Sequence, residues 1–125
     1  MLFSVIITCF NKEEYIDTCI KSIINQTYQN TEILCVDDGS TDTSHEKITA
    51  YSNHIDIIYQ TNGGQGAAIN AGFKASQGEF IIFVDGDDYL YPEALETLVQ
   101  TWPLDASHVW FPLNAIDVDG TFLGY

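Results

Sequence analysis

Arginine is missing from this sequence altogether, and only four lysines (Lys12, Lys21, Lys47 and Lys74) stand against 18 acidic residues, for a formal net charge of -14. Such a chain cannot build the basic stripe that neutralises a polyanion and releases its counterions, so nucleic acid is set aside as a partner. If a ligand nevertheless carries phosphate, backbone amides or a divalent metal must offset its charge. Cysteine is scarce too. Cys9, Cys19 and Cys35 are odd in number, widely spaced and free of any CxxC pair, which argues against a disulfide framework or a zinc knuckle. They read as small buried hydrophobes in a reducing compartment. No apolar run reaches the length of a membrane span and no secretory signal pattern opens the chain, so a soluble protein is expected. What remains is 125 residues at 46% hydrophobic content, enough for one domain with one core and one site.

Residues 4–9 form a β-branched apolar run without alternation, the pattern of a strand covered on both faces. Residues 13–26 follow with Ile16, Cys19, Ile20, Ile23 and Ile24 at helical spacing, and Asn11 with Glu14 three residues on fits a capping box. The unit then repeats. Strands are predicted at 33–37, 55–59 and 79–84, helices at 42–51 and 65–76, and a further helix opens at Pro92, whose missing N–H costs nothing in a first turn. A shorter fifth strand is expected at 108–111. Alternation of this kind predicts an α/β domain around a mostly parallel sheet with flanking helices. The segment from Asn114 to Tyr125 carries Asp119-Gly120 between apolar stretches and reads as a C-terminal hairpin.

In open α/β sheets ligands bind beyond the carboxyl ends of the strands. Each of the four strong strands is followed by a segment rich in polar residues: Thr8, Phe10, Asn11 and Lys12; then 37–42 (DDGSTD); then 61–66 (TNGGQG); then 85–88 (DGDD). Turn chemistry alone accounts for most of these residues, with Asp42 as an N-cap and Ser40-Thr41 as a turn. It accounts less well for 85–88, where three carboxylates in four residues repel one another unless a cation or protons intervene. Mg²⁺ or Mn²⁺ suits such hard oxygen donors. Other motifs fail. An EF-hand from Asp85 needs Gly where Leu90 stands, the dinucleotide fingerprint lacks its third glycine at Ile69, and no P-loop lysine follows. His45, His54 and His108 show no ligand spacing and read as ordinary surface or core histidines.

Four segments in this order, SVIITCFNKEEYI at 4–16, VDDGSTD at 36–42, NGGQGAAINAG at 62–72 and FVDGDD at 83–88, resemble the family 2 glycosyltransferases of GT-A fold. The resemblance implies that Asp38 accepts a hydrogen bond from the nucleotide base, with Thr8 and Phe10 forming the base pocket and Asn11 beside them. It places Asn62, Gly63, Gly64 and Gln65 next to the sugar-nucleotide donor. Asp85-Gly86-Asp87 matches the family's Asp-x-Asp motif, with Asp87 as direct metal ligand and Asp85 on the ribose or the metal; Asp37 and Asp88 would support the loops. The implied cofactor is Mn²⁺ or Mg²⁺. The implied partners are a nucleotide-diphosphate sugar, UDP foremost, and a saccharide or glycoconjugate acceptor.

The sequence departs from the family pattern at Ile69, where an arginine is common; Lys12 or Lys74 could compensate, although a solvated surface lysine is the simpler reading of each. No residue matches the family's acceptor base, with Asp117 and Asp119 explained by the hairpin, so that base is expected beyond Tyr125. The 125 residues are then the expected donor-binding portion of a longer inverting transferase, itself cytoplasmic. Attachment to the inner face of the membrane is left to regions outside this sequence. Two other readings stay open: a nucleotidyltransferase, which also uses an acidic metal site but wants a basic phosphate loop, and a metal-stabilised binding module without catalysis.

Overall fold

The computed structural model describes residues 1–103, 105–107, 115–116 and 122–124. Its centre is a four-stranded, wholly parallel sheet of β1 (Phe3–Cys9), β2 (Thr31–Asp37), β3 (Asp56–Tyr59) and β4 (Phe80–Asp85), in spatial order β3-β2-β1-β4. All seven residues of β1 are buried, because helices cover both sides of the sheet. Successive side chains of a strand point to opposite faces, and the core divides accordingly. Phe3, Val5, Ile7 and Cys9 join the larger cluster with Ile16, Cys19, Ile20 and Ile23 of α1 (Ile16–Ile24) and Leu95 of α4 (Ala94–Thr101). Ile6 turns the other way, to Leu34, Val36 and Ala68 of α3 (Gln65–Ala75). A methyl group on Gly72 of α3 would collide with the Ile6 side chain, so this helix lies closer to the sheet than any larger residue allows.

The short α2 (Ser44–Thr49) links β2 to β3. Gln26, 1% exposed, joins α1 to α4: its amide donates to the carbonyls of Ser22 (3.0 Å) and Tyr91 (2.7 Å), and its oxygen accepts from Leu95 N–H (3.0 Å). Among the described residues no helix is long and apolar enough to cross a membrane. The three cysteines are free and buried, as expected of small core residues.

The α/β reading and the order of elements hold, and local details differ. Helix α1 starts at Ile16, and Asn11 does not cap it. Asn11 adopts φ 51°, and its side-chain oxygen is taken by the amides of Thr41 (2.8 Å) and Asp42 (3.3 Å) from the loop after β2. Pro92 lies in the turn before α4, where its carbonyl accepts from Thr27 N–H (3.0 Å). At the C-terminal end β5 (Ala115–Ile116) and β6 (Phe122–Gly124) pair antiparallel, as a hairpin requires. The turn residues of that hairpin, its last expected residue Tyr125 and the fifth strand expected at 108–111 lie outside the described residues.

Candidate functional site

The strand order reverses at β1: β2 and β3 build outward on one side, and β4 returns to the other. A parallel sheet opens a crevice at such a switch point, beyond the strands' carboxyl ends. The register sets Cys9 beside Asp37 and Thr8 beside Asp85, which aligns those ends on one rim. The last carbonyls of β1 then bond in opposite directions, Cys9 O to Asp38 N–H and Thr8 O to Gly86 N–H, each at 2.8 Å. Between the diverging chains lies an open cleft of about 160 Å³. Thr8, Cys9, Phe10 and Lys12 line it from β1 and the turn that follows, and Asp38 from the end of β2. Gln65 and Ala68 contribute from α3, and Asp85 and Asp87 from β4 and its loop.

Phe10 and Lys12 face the cleft on either side of a left-handed turn at Asn11. At φ 51° Asn11 sits in a region that asparagine tolerates better than most residues. Its N–H donates to Ser40 Oγ (3.0 Å), and Thr41 and Asp42 hold its side chain, so the loop after β2 fixes the turn from outside. Asp42 accepts from Ser44 N–H (2.9 Å) and from Glu13 N–H (3.2 Å), but the cap position of α2 is Thr43, one residue later than expected.

Asp38 is 4% exposed, and its carboxylate is fully engaged. One oxygen accepts from Gln60 Nε2 and Gly63 N–H, both at 2.8 Å; the other accepts from Gly64 N–H (3.0 Å) and Asn62 Nδ2 (3.4 Å). Burial alone raises the Asp38 pKa, but the bonds from Gln60, Gly63 and Gly64 outweigh it and hold the group below its ordinary 3.8. Gly39, at φ 76°, makes this contact possible, since a Cβ there would stand 2.7 Å from the Asn62 nitrogen. Asp37 is buried beside it and accepts from Ser40 N–H (3.0 Å). Its other oxygen lies 3.5 Å from His45 Nδ1, and the His45 ring stacks on Tyr59 at 4.0 Å.

The opposite rim is built differently. Asp85, Asp87 and Asp88 can each offer a carboxylate oxygen with all three atoms within 4.8 Å of one another. Asp85 accepts from Gln65 Nε2 (2.6 Å) and Thr8 Oγ1 (3.3 Å), neutral donors that orient it without cancelling its charge. Asp87 pairs with Lys12 Nζ at 3.1 Å. Burial raises the Asp88 pKa, and repulsion from Asp87 and Asp85 raises it further; the bond to Asp87 raises that of Lys12. Three hard oxygen donors, already drawing an ammonium against one of them, fit a divalent cation.

Of the residues singled out in the sequence, Thr8, Phe10, Asp38, Gln65, Asp85 and Asp87 line the one cleft. Asn11, Asn62, Gly63 and Gly64 are not among its lining; Asn62, Gly63 and Gly64 brace Asp38, while Asn11 bonds Thr41 in the loop after β2. Lys12, raised in the sequence only as a possible substitute for the missing arginine and otherwise read as a surface lysine, also lines the cleft. Its signal was available: it is the lone cation within the four strand-end segments.

The family model for "Glycosyl transferase family 2" matches residues 4–124. Among curated relatives the chain is 42% identical over 101 residues to the putative glycosyltransferase EpsH of Bacillus subtilis, covering 78% of this chain and 29% of that protein. It is 41% identical over 102 residues to the poly(ribitol-phosphate) beta-glucosyltransferase of Bacillus spizizenii, covering 76% and 16%. Among solved structures, S. aureus TarS 1-349 in complex with UDP-GlcNAc superposes with a TM-score of 0.72 at 36% identity, over 80% of this chain and 30% of that one. The chain thus spans less than a third of each of these proteins. With a family model covering almost its whole length, over the same four strand ends that build the cleft, the chain belongs to glycosyl transferase family 2.

Proposed function

We propose that this chain is the donor-binding portion of an inverting glycosyltransferase that takes its sugar from a nucleotide diphosphate, UDP foremost, with the help of a divalent metal. The observation that carries this reading is the meeting, in one cleft, of an exposed aromatic ring, Phe10, with the paired acids Asp85 and Asp87. TarS, similar at 36% identity, is seen with UDP-GlcNAc, which favours the uridine donor.

In this reading Phe10 offers the base a stacking face beside Thr8. Asp38 holds Gly63 and Gly64 in place next to the donor, and accepts from the base only by giving up one of its present partners. Asp87 and Asp85 hold Mn²⁺ or Mg²⁺, with Asp88 in support. Gln65 and Thr8 keep the Asp85 carboxylate turned toward the cleft. When bound, the metal neutralises the charge that develops on the departing diphosphate. An acceptor hydroxyl of a saccharide or glycoconjugate attacks the anomeric carbon. The base that takes its proton is assigned beyond Tyr125, to the length that the relatives have and this chain does not span.

The test is thermal. UDP is expected to raise the melting temperature in Mn²⁺ or Mg²⁺ and not in EDTA, because only the metal-bridged complex stabilises the folded state. Equal stabilisation in EDTA overturns the metal bridge, and no stabilisation in either condition overturns the donor site.

A further inference from the structure

Building on that donor-site reading, we infer that Lys12 is a partner-switching cation: it holds Asp87 until a divalent ion claims that carboxylate, and then transfers to the diphosphate of the donor.

Its backbone is fixed and its head is not. Lys12 N–H donates to Ser44 Oγ (2.9 Å), and its carbonyl accepts from Tyr15 N–H (3.0 Å) and Ile16 N–H (2.9 Å) at the entry to α1. The left-handed turn at Asn11 brings it onto the cleft. The ammonium then reaches Asp87 from a side chain that is 36% exposed, against 40% for its partner. A pair this open to water is weak, so exchanging its partner costs little. Lysine suits such an exchange, carrying its charge on a flexible stem that can reach either partner.

No other described cation is placed for the task. Lys47 donates to Glu13 O (2.6 Å) and lies 3.7 Å from Asp17, while Lys21 and Lys74 stand in the last turns of α1 and α3 and do not line the cleft. A diphosphate would enter a site that already holds Asp38, Asp85 and Asp87, in a chain without arginine. A divalent ion facing two carboxylates is neutralised by them and leaves the phosphate charge uncompensated. An ammonium displaced from Asp87 is the one side chain at hand to meet it, and repulsion from the incoming ion drives it in that direction.

Lys12 should therefore act with opposite sign on the two ligands. In Lys12→Met, Mn²⁺ binding without nucleotide, followed by the electron paramagnetic resonance of the free ion, is expected to tighten by about two- to five-fold, the worth of an exposed ion pair. UDP binding at saturating Mn²⁺, followed by calorimetry, is expected to weaken by about ten-fold or more, the worth of a charge-assisted contact. Lys12→Arg keeps the charge and should stay near the unmodified chain on both measurements. Lys12→Gln is a second neutral variant that must repeat the Met result. A purely structural lysine would weaken both ligands together, and that outcome overturns the inference, as does a neutral variant that matches the unmodified chain. An unmodified chain that takes up neither Mn²⁺ nor UDP fails the donor-site reading itself, and the inference with it.

Discussion

Two loops leave the same rim of the sheet with almost the same residues, Val36-Asp37-Asp38-Gly39 after β2 and Val84-Asp85-Gly86-Asp87-Asp88 after β4, yet they treat their acids in opposite ways. After β2 the carboxylates are buried and saturated: Asp38 gathers four donors and Asp37 bonds Ser40. After β4 they crowd one another, and the one ammonium among them is half-exposed. The pKa directions follow, lowered at Asp38 and raised at Asp88. Carboxylates in the first loop are structural anions, stabilised by backbone amides. Those in the second carry more charge than the single Lys12 ammonium offsets, which is what a cation site needs.

The largest effect should come from the second loop. Asp87→Asn keeps the side-chain shape but removes a charge that the divalent ion needs, so UDP affinity in Mn²⁺ should fall by about 100-fold or more. Calorimetry with and without the metal reads this directly; an Asn variant that keeps its metal-dependent affinity would move the metal elsewhere.

In the first loop the expected loss is of stability. Asp38→Ala orphans Gly63 N–H, Gly64 N–H and the Gln60 amide together, at a cost of about 2–3 kcal/mol, to be read from the midpoint of urea unfolding. The pH dependence has a definite sign. A folded pKa below the ordinary 3.8 means that the Asp38 contribution is complete above that value and is lost as pH falls through the folded pKa. Asp38→Asn should therefore flatten the acid limb of the stability curve below about pH 4, compared with the unmodified chain. If the two limbs coincide, the bonds to Asp38 do not favour its charged form as described.

The smallest effect should be a gain. Asp88→Asn relieves repulsion from Asp87 and Asp85, so without metal the melting temperature should rise by about 1–2 °C, as expected for a partly exposed like-charge contact. A fall would mean that Asp88 holds the loop as Asp38 holds its own.

This contrast also marks what could be read in the sequence. Unbroken apolar runs marked the four strands of the parallel sheet and helical spacing marked α1, because both patterns are written in neighbouring residues, whereas α4 was read from Pro92, which the structure leaves in the turn before it. The clustered acids of 85–88 were visible because repulsion depends only on their closeness along the chain. Saturation of Asp38 was not visible, since its donors come from residues 60–64 across the sheet. Asn11 misled for the same reason: its spacing to Glu14 satisfied a local rule, while the 41–42 amides, brought near only by the fold, took its side chain. Lys12 likewise meets Asp87 across 75 residues of sequence.

That separation has a bearing on how the site comes into being. The pairing of β1 with β4 closes a loop of some 77 positions between Thr8 and Asp85, whereas β1 meets β2 across about a third of that distance. Long closures carry a larger entropic cost and tend to be completed late in folding. The acid cluster therefore stands on the strand whose pairing with β1 spans the longest stretch of chain in the parallel sheet, and fluctuations that detach β4 would disperse the cluster while leaving the Asp38 loop intact. Donor and metal, by bridging residues of β1 and the β4 loop, would act as a clasp on that seam, and slowed hydrogen exchange of the Gly86 amide on Thr8 O is where the clasp would be felt.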